Sequence, residues 1–464
     1  MPLIKSISGI RGTIGGVPGD NLTPLDILRF TSAYGKWVKK QASSKKVVVV
    51  VGRDARISGQ MVSDIVIGTL TGCGIDVINL GLASTPTVEM AVIGKKASGG
   101  IIITASHNPK QWNALKLLNK KGEFLPDIDG KEILRIAENE NTVFAEVEKL
   151  GFVQVINDYN KTHIDAILAL PLVDRKAIAK AKFSILVDGI NSVGSVAVKE
   201  LLLALKVAKI VEVNNVPNGE FAHNPEPLPA HLVETIKMTV KAKADLGIVV
   251  DPDVDRLAFI SEDGSFFGEE YTLVAVADYV LSKTPGNTVS NLSSSRSLRD
   301  ITEKYKRKYT ASAVGEVNVV KTMKDTKAII GGEGNGGVIY PELHYGRDAL
   351  VGIALFLSAL AKSGKKCSAF RKTFPDYFIS KNKIELKKGF DTEKLIKKVH
   401  NLYSKYTCNL VDGLRIDFES EWVHLRRSNT EPIIRIYAES TSMQKADKLA
   451  KKMMNEMNEI SKKM

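Results

Sequence analysis

Cysteine is scarce and poorly placed for chemistry. The chain holds three, Cys73, Cys367 and Cys408, far apart, with no C-x-x-C and no histidine at metal-ligand spacing. That excludes a disulfide framework and a thiolate zinc site, and it points to buried thiols in a reducing compartment. Long apolar runs are missing too. The longest, residues 349–361, falls short of the roughly 20 residues that span a bilayer, and residues 1–6 carry no apolar signal core. A cytoplasmic protein with no membrane partner is expected. The sequence also lacks a long basic arm, a zinc-finger or RNA-binding pattern, a Walker A loop and a kinase glycine-rich loop. Nucleic acid and ATP are therefore not the expected partners.

What is present is ordinary globular material. The 464 residues are 44% hydrophobic and 25% charged, with 65 Lys+Arg against 52 Asp+Glu for a net charge of +13. A length of this order suggests about three or four domains. The positive excess suits a site for a small polyanion or simply a lysine-rich surface. β-Branched runs at 47–51, 184–187, 246–250 and 328–330 alternate with helical periodicity, the pattern of α/β units with parallel strands. The last ninety or so residues differ, with strand-like 413–418 and 433–437 and a lysine-rich helix from about Ser442, and read as a smaller α+β domain. The expected divisions are 1–150, 151–257, 258–372 and 373–464.

Ligands of open α/β sheets sit beyond the carboxyl ends of strands, and four loops carry chemistry. Thr104-Ala105-Ser106-His107-Asn108-Pro109 places a serine just past a buried run, open to a phosphate or an acyl group. Asp251-Pro252-Asp253-Val254-Asp255-Arg256 sets carboxylates at alternate positions, where they repel one another unless a cation lies between them; an oxygen-only donor set favours Mg²⁺. The glycine-dense run from Gly331 to Gly337 presents Glu333 and Asn335, an acid and an amide suited to sugar hydroxyls. Arg426-Arg427-Ser428-Asn429-Thr430-Glu431-Pro432 offers the donors of a phosphate clamp. Taken singly, each also suits a capped, solvated or flexible turn. Together they are the parts of phosphoryl transfer to and from a sugar.

With those four loops in order, and with Ser8-Gly9-Ile10-Arg11-Gly12, Gly52-Arg53-Asp54-Ala55-Arg56-Ile57-Ser58-Gly59, Asn113-Ala114-Leu115-Lys116, Asn224-Pro225-Glu226-Pro227 and Val314-Gly315-Glu316 between them, the whole chain resembles the α-D-phosphohexomutase family. The resemblance implies four domains around a central cleft, three related α/β domains and a C-terminal TATA-binding-protein-like α+β domain. It implies that Ser106 is the phosphoserine and that Asp251, Asp253 and Asp255, with the phosphoserine, hold Mg²⁺. Glu333 and Asn335 fall in its sugar loop and Arg426, Ser428, Asn429 and Thr430 in its phosphate loop, where Arg427 takes a variable position. Arg11, His107, Lys116 and Arg256 match residues near the transferring phosphate, and Lys116 or His107 is the expected proton carrier, the lysine through a pKa lowered by neighbouring cations.

The implied activity is interconversion of hexose 6-phosphate and hexose 1-phosphate through a sugar 1,6-bisphosphate, which also serves as activator, by a monomer or dimer. Pro252 and Val254 replace glycines common in bacterial members. Gly334-Asn335-Gly336-Gly337 stands where bacterial phosphoglucosamine mutases more often have Gln-Ser-Gly-His. Both departures look archaeal, and glucosamine phosphate is the favoured substrate, with mannose and glucose phosphates as the alternative. A sugar-phosphate phosphatase is the rival from another class.

Overall fold

Consecutive valines make the run Val48–Arg53 a strand buried on both faces, paired in parallel with Asp76–Leu82 on one side and Gly99–Ile103 on the other. The computed structural model describes residues 3–6, 9–42, 46–139, 143–386, 390–428 and 433–463. They fall into two units, Met1–Lys283 with Asn335–Arg371, and Thr284–Gly334 with Lys372–Met464.

In the first unit a seven-stranded sheet runs in the order Ile4–Ser6, Gly9–Thr13, Trp112–Leu118, Gly99–Ile103, Val48–Arg53, Asp76–Leu82, Val153–Val155. Its centre is parallel, as the α/β alternation predicts. The strands Trp112–Leu118 and Gly9–Thr13 join it antiparallel, a difference from the all-parallel expectation. Every residue of Trp112–Leu118 is buried, so no alternation marks it as a strand. A second sheet, in the order Leu257–Ser261, Leu246–Val250, Ser184–Asp188, Lys209–Val213, again ends in an antiparallel hairpin. Strands Val153–Val155 and Leu257–Ser261 pair backwards in the chain, so the first two sheets extend past the divisions expected at 150 and 257.

The apolar run 349–361 lies in the helix Ala349–Ser363, whose first twelve residues are all buried and whose first turn is capped by Asp348. No described helix is long and apolar enough to cross a membrane. The cap is also the hub of an ionic cluster: His163 Nε2 donates to Asp348 Oδ2 at 2.9 Å and His344 Nε2 to the same oxygen at 3.3 Å, while His344 Nδ1 faces Glu89 Oε2 at 3.4 Å. Burial acts to lower the His344 pKa, but the hydrogen bonds and charges of Asp348 and Glu89 outweigh it and push it up to about 10.

In the second unit, Tyr309–Ser312, Asn287–Asn291 and Ala328–Glu333 pair in parallel. Five antiparallel strands follow, in the order Phe378–Glu385, Ile433–Ser440, Trp422–Arg427, Leu414–Asp417, Thr407–Asn409. One face of that sheet packs on Leu395 and Val399 of helix Thr392–Leu402 and on Met453 and Met457 of helix Met443–Lys462, which Ser442 caps. This is the α+β domain read from the sequence.

Candidate active site

Ser106 follows strand Gly99–Ile103 in a left-handed backbone conformation, φ +49°, which a residue other than glycine adopts only when its surroundings enforce it. The enforcement is visible. The side chain of Arg56, fully buried, gives its guanidinium protons to four carbonyl oxygens of this loop: Ser106 at 2.5 Å, Asn108 at 2.6 Å, Pro109 at 2.7 Å and Trp112 at 3.0 Å. Its Nε donates to Asp54 Oδ2 at 3.1 Å, and Thr104 Oγ1 donates to the same oxygen at 2.7 Å while accepting from Ser106 N at 2.9 Å. Asp54 and Arg56, noted in the sequence only as members of a lesser motif, thus form the scaffold of the serine.

The aspartate loop leaves strand Leu246–Val250. Val254 also sits in the left-handed region, φ +62°, a genuine outlier for a β-branched residue. It is held by Val254 N donating to Asp251 O at 3.1 Å and Ala349 N donating to Val254 O at 3.1 Å. A glycine would adopt that conformation without strain. The twist turns all three carboxylates inward, where they are fully buried and present ligand oxygens within 4.8 Å of one another.

The hydrogen bonds of the loop divide its oxygens. Asp253 Oδ2 accepts from Thr85 Oγ1 at 2.7 Å and from Lys116 Nζ at 2.7 Å, and Asp255 Oδ2 accepts from Arg347 Nη2 at 2.7 Å. The partner oxygens, Asp253 Oδ1 and Asp255 Oδ1, are buried and accept no hydrogen bond among the described residues. Orphaned carboxylate oxygens in an all-oxygen set are what a hard divalent cation satisfies, so the residues fit Mg²⁺. Ser106 Oγ joins them by donating to Asp251 Oδ2 at 2.7 Å.

The charges are strongly coupled. Burial, then the charges of Asp253 and Asp255, hold the Asp251 pKa well above the usual carboxylate range. Asp253 lies below that range, because burial is outweighed by Lys116 and Thr85. His107, whose Nδ1 is 3.5 Å from Ser106 Oγ, is driven down to about 2 by burial and by Arg256 and Arg11, and stays neutral. Lys116 behaves opposite to expectation: burial lowers its pKa, but Asp253 at 2.7 Å and Asp255 at 3.5 Å overcome that and the opposing charge of Arg347, and raise it. Arg11, on strand Gly9–Thr13, is lowered by burial and by Arg256. Arg256 reaches toward Glu226 Oε1 at 3.4 Å and Asp255 Oδ1 at 3.9 Å.

The remaining expected residues are held as follows. Asn335, in the first unit, accepts from Gly337 N at 3.2 Å. In the second unit, Glu333 Oε1 accepts from Asn291 Nδ2 at 2.9 Å and from Gly315 N at 3.1 Å. Arg426 pairs with Asp412 at 2.8 Å, and Asp412 accepts from Val314 N at 3.0 Å, so Val314-Gly315 serves both loops. Ser428 is buried, and its N–H donates to Ile433 O at 3.0 Å. Asn429 and Thr430 lie outside the described residues. Thr85 and Arg347 were missed in the sequence; each reaches the aspartates from a distant segment and stands in no charged run of its own.

Four models of phosphoglucomutase/phosphomannomutase domains match the chain in order: α/β/α domain I at 4–143, domain II at 161–264, domain III at 268–377 and the C-terminal domain at 383–456. Among curated proteins, a phosphoglucomutase/phosphomannomutase of Thermococcus kodakarensis is 36% identical over 94% of this chain and 95% of its own. A phosphoglucosamine/phosphogalactosamine mutase of Sulfurisphaera tokodaii is 32% identical over 97% of each. Among solved structures, a phosphoglucomutase/phosphomannomutase family protein of Burkholderia thailandensis superposes with a TM-score of 0.85 at 23% identity, covering 99% of this chain and 98% of that one, and so shares the fold.

Proposed function

Because the chain belongs to the phosphoglucomutase/phosphomannomutase family of α-D-phosphohexomutases, we propose that it interconverts hexose 6-phosphates and hexose 1-phosphates with Ser106 as phosphoryl carrier. The observation that carries this reading is the 2.7 Å hydrogen bond from Ser106 Oγ to Asp251 Oδ2 beside two aspartates with orphaned oxygens. Asp251, Asp253 and Asp255 would hold Mg²⁺, which when bound supplies Lewis-acid stabilisation of the transferring oxygens.

The chain's own residues account for the rest. Phosphorylated Ser106 gives its phosphoryl group to the free hydroxyl of a sugar monophosphate. The resulting 1,6-bisphosphate turns end for end, and its other phosphate returns to Ser106. Lys116, kept charged by Asp253 and Asp255, and the guanidinium groups of Arg11 and Arg256 meet the negative charge spread over the phosphoryl oxygens. Of the Lys116/His107 pair, Lys116 is held protonated by the aspartates and His107, driven down to about 2, is a weak proton acceptor, so in this arrangement neither is poised to take the hydroxyl proton. Glu333 and Asn335 read sugar hydroxyls, and Arg426, Ser428, Asn429 and Thr430 hold the phosphate that is not transferring. The free thiols of Cys73, Cys367 and Cys408 suit a cytoplasmic setting.

Glucosamine phosphate is the proposed preferred sugar. Supporting it, the relatives of Methanopyrus kandleri and Pyrococcus horikoshii, each 30% identical, are named probable phosphoglucosamine mutases. The Thermococcus kodakarensis relative keeps glucose and mannose phosphates as the alternative. Phosphorylated protein, Mg²⁺ and a bisphosphate activator incubated with glucosamine, mannose and glucose phosphates in parallel should give isomer fastest with glucosamine. Release of inorganic phosphate in place of isomer would show a phosphatase instead.

A further inference from the structure

Gly337 ends the sugar loop at the position where the bacterial pattern has histidine, and the space its side chain would fill is taken. A Cβ on Gly337 would lie 2.3 Å from Arg347 Cδ and 3.0 Å from Arg347 Cγ. The backbone fixes this neighbourhood. Ile339 bridges antiparallel to Arg347, and Asp348 N donates to Val338 O at 2.8 Å, so 337–339 lies beside 347–348. Asp348 is in turn anchored by His163 and His344. The arm of Arg347 therefore lies along the bare Cα of Gly337, and its guanidinium reaches Asp255 Oδ2 at 2.7 Å.

We propose that Arg347 is the positioning residue for the Mg²⁺ ligand Asp255, and that it and Gly337 form a coupled pair in which the bare Cα at 337 leaves the room that the Arg347 arm needs to reach Asp255. The division of oxygens supports it. Arg347 at 2.7 Å, with Lys116 more distant at 3.5 Å, takes Oδ2 of Asp255 as Thr85 and Lys116 take Oδ2 of Asp253, and in each carboxylate Oδ1 is left without a hydrogen bond among the described residues. A charge-assisted bond to one oxygen orients the other toward the cation and retains its charge there, the role outer partners play for metal ligands. Any side chain at 337 displaces the Arg347 arm, so the two positions cannot vary independently. The inference rests on the reading of Asp251, Asp253 and Asp255 as the metal site.

The test measures Mn²⁺ binding by calorimetry and Mg²⁺ dependence of turnover in Arg347→Met, Arg347→Lys, Gly337→His, and the double variant Gly337→His with Arg347→Ala. Arg347→Met, which keeps the arm and loses the charge, should weaken metal binding by about 10- to 100-fold with little change in KM for the phosphosugar. Arg347→Lys should recover part of the loss. Gly337→His alone should show the same metal defect, and the double variant should bind metal no more weakly than the weaker of the two single changes, because both remove the same bond to Asp255. Unchanged Mn²⁺ affinity in Arg347→Met, or simple additivity of the two positions, overturns the proposal. The calorimetric signal does not require turnover, so a wild-type protein that binds Mn²⁺ but makes no isomer counts against the mutase reading alone.

Discussion

Ser106 and Asp251 stand 145 residues apart in sequence, and the serine hydroxyl donates to the aspartate at 2.7 Å. That one bond joins the loop after a strand of the first sheet to the loop after a strand of the second, and it puts the proposed phosphoryl carrier against the proposed cation site. Ser106→Ala should reduce isomer formation by about 10⁴-fold or more. Intact mass after incubation with bisphosphate should show no phosphoryl adduct. Full turnover by this variant would end the carrier assignment.

Arg56 is expected to matter for stability as much as for rate. Arg56→Met leaves Asp54 buried without its ion pair and strips four carbonyls of their donor. A loss of about 3–5 kcal/mol in urea unfolding is expected. Arg56→Lys should recover little, because an ammonium cannot reproduce a planar fork that serves both Asp54 and the loop.

Glu333 is expected to act on substrate and not on metal. Glu333→Gln keeps the shape while removing the charge that draws Asn291 and Gly315. KM for the phosphosugar should rise by about 10- to 100-fold, at 1.4 kcal/mol per decade, with the Mg²⁺ dependence unmoved. A shift in the metal dependence equal to that in KM would contradict the separation of the two loops.

The cluster around Asp348 predicts a pH dependence of stability. His344 titrates at about 10 in the folded chain against 6.5 for the free side chain, so its contribution is fully present below about pH 6.5 and is lost as pH rises toward 10. The groups facing it are Asp348, Glu89 and His163, which bonds the same Asp348 oxygen and whose ring lies edge-on at 6.1 Å. The melting temperature should fall across that window in the wild type and follow a flatter course in His344→Gln. Parallel curves for the two proteins would remove His344 from the account.

The juxtaposed loops of Ser106 and the three aspartates could be singled out in the sequence because each is local. Ser106 and the aspartates 251, 253 and 255 each follow a run of buried residues, and carboxylates so crowded announce a cation. What stayed hidden was non-local. Thr85 meets Asp253 across 168 positions and Arg347 meets Asp255 across 92, and neither has a neighbour that marks it. The strand Trp112–Leu118 was equally hard to place, for a strand buried on both faces carries no alternation. The pKa direction of Lys116 depends on which charges are nearest, a quantity that sequence spacing does not contain.

The first unit is discontinuous, Met1–Lys283 completed by Asn335–Arg371 after the intervening Thr284–Gly334 has been made. During synthesis, Asp251, Asp253 and Asp255 therefore emerge from the ribosome well before Arg347 and before Ala349, whose N–H fixes the strained Val254. A nascent chain halted ahead of residue 347 already has Ser106, Thr85 and Lys116 for Asp251 and Asp253, but lacks the Arg347 partner of Asp255 and the Ala349 bond to Val254. The aspartate loop thus gains its last two contacts only after the following segment, 92 positions from Asp255 to Arg347, has been added, so a truncation there would leave the loop incompletely braced.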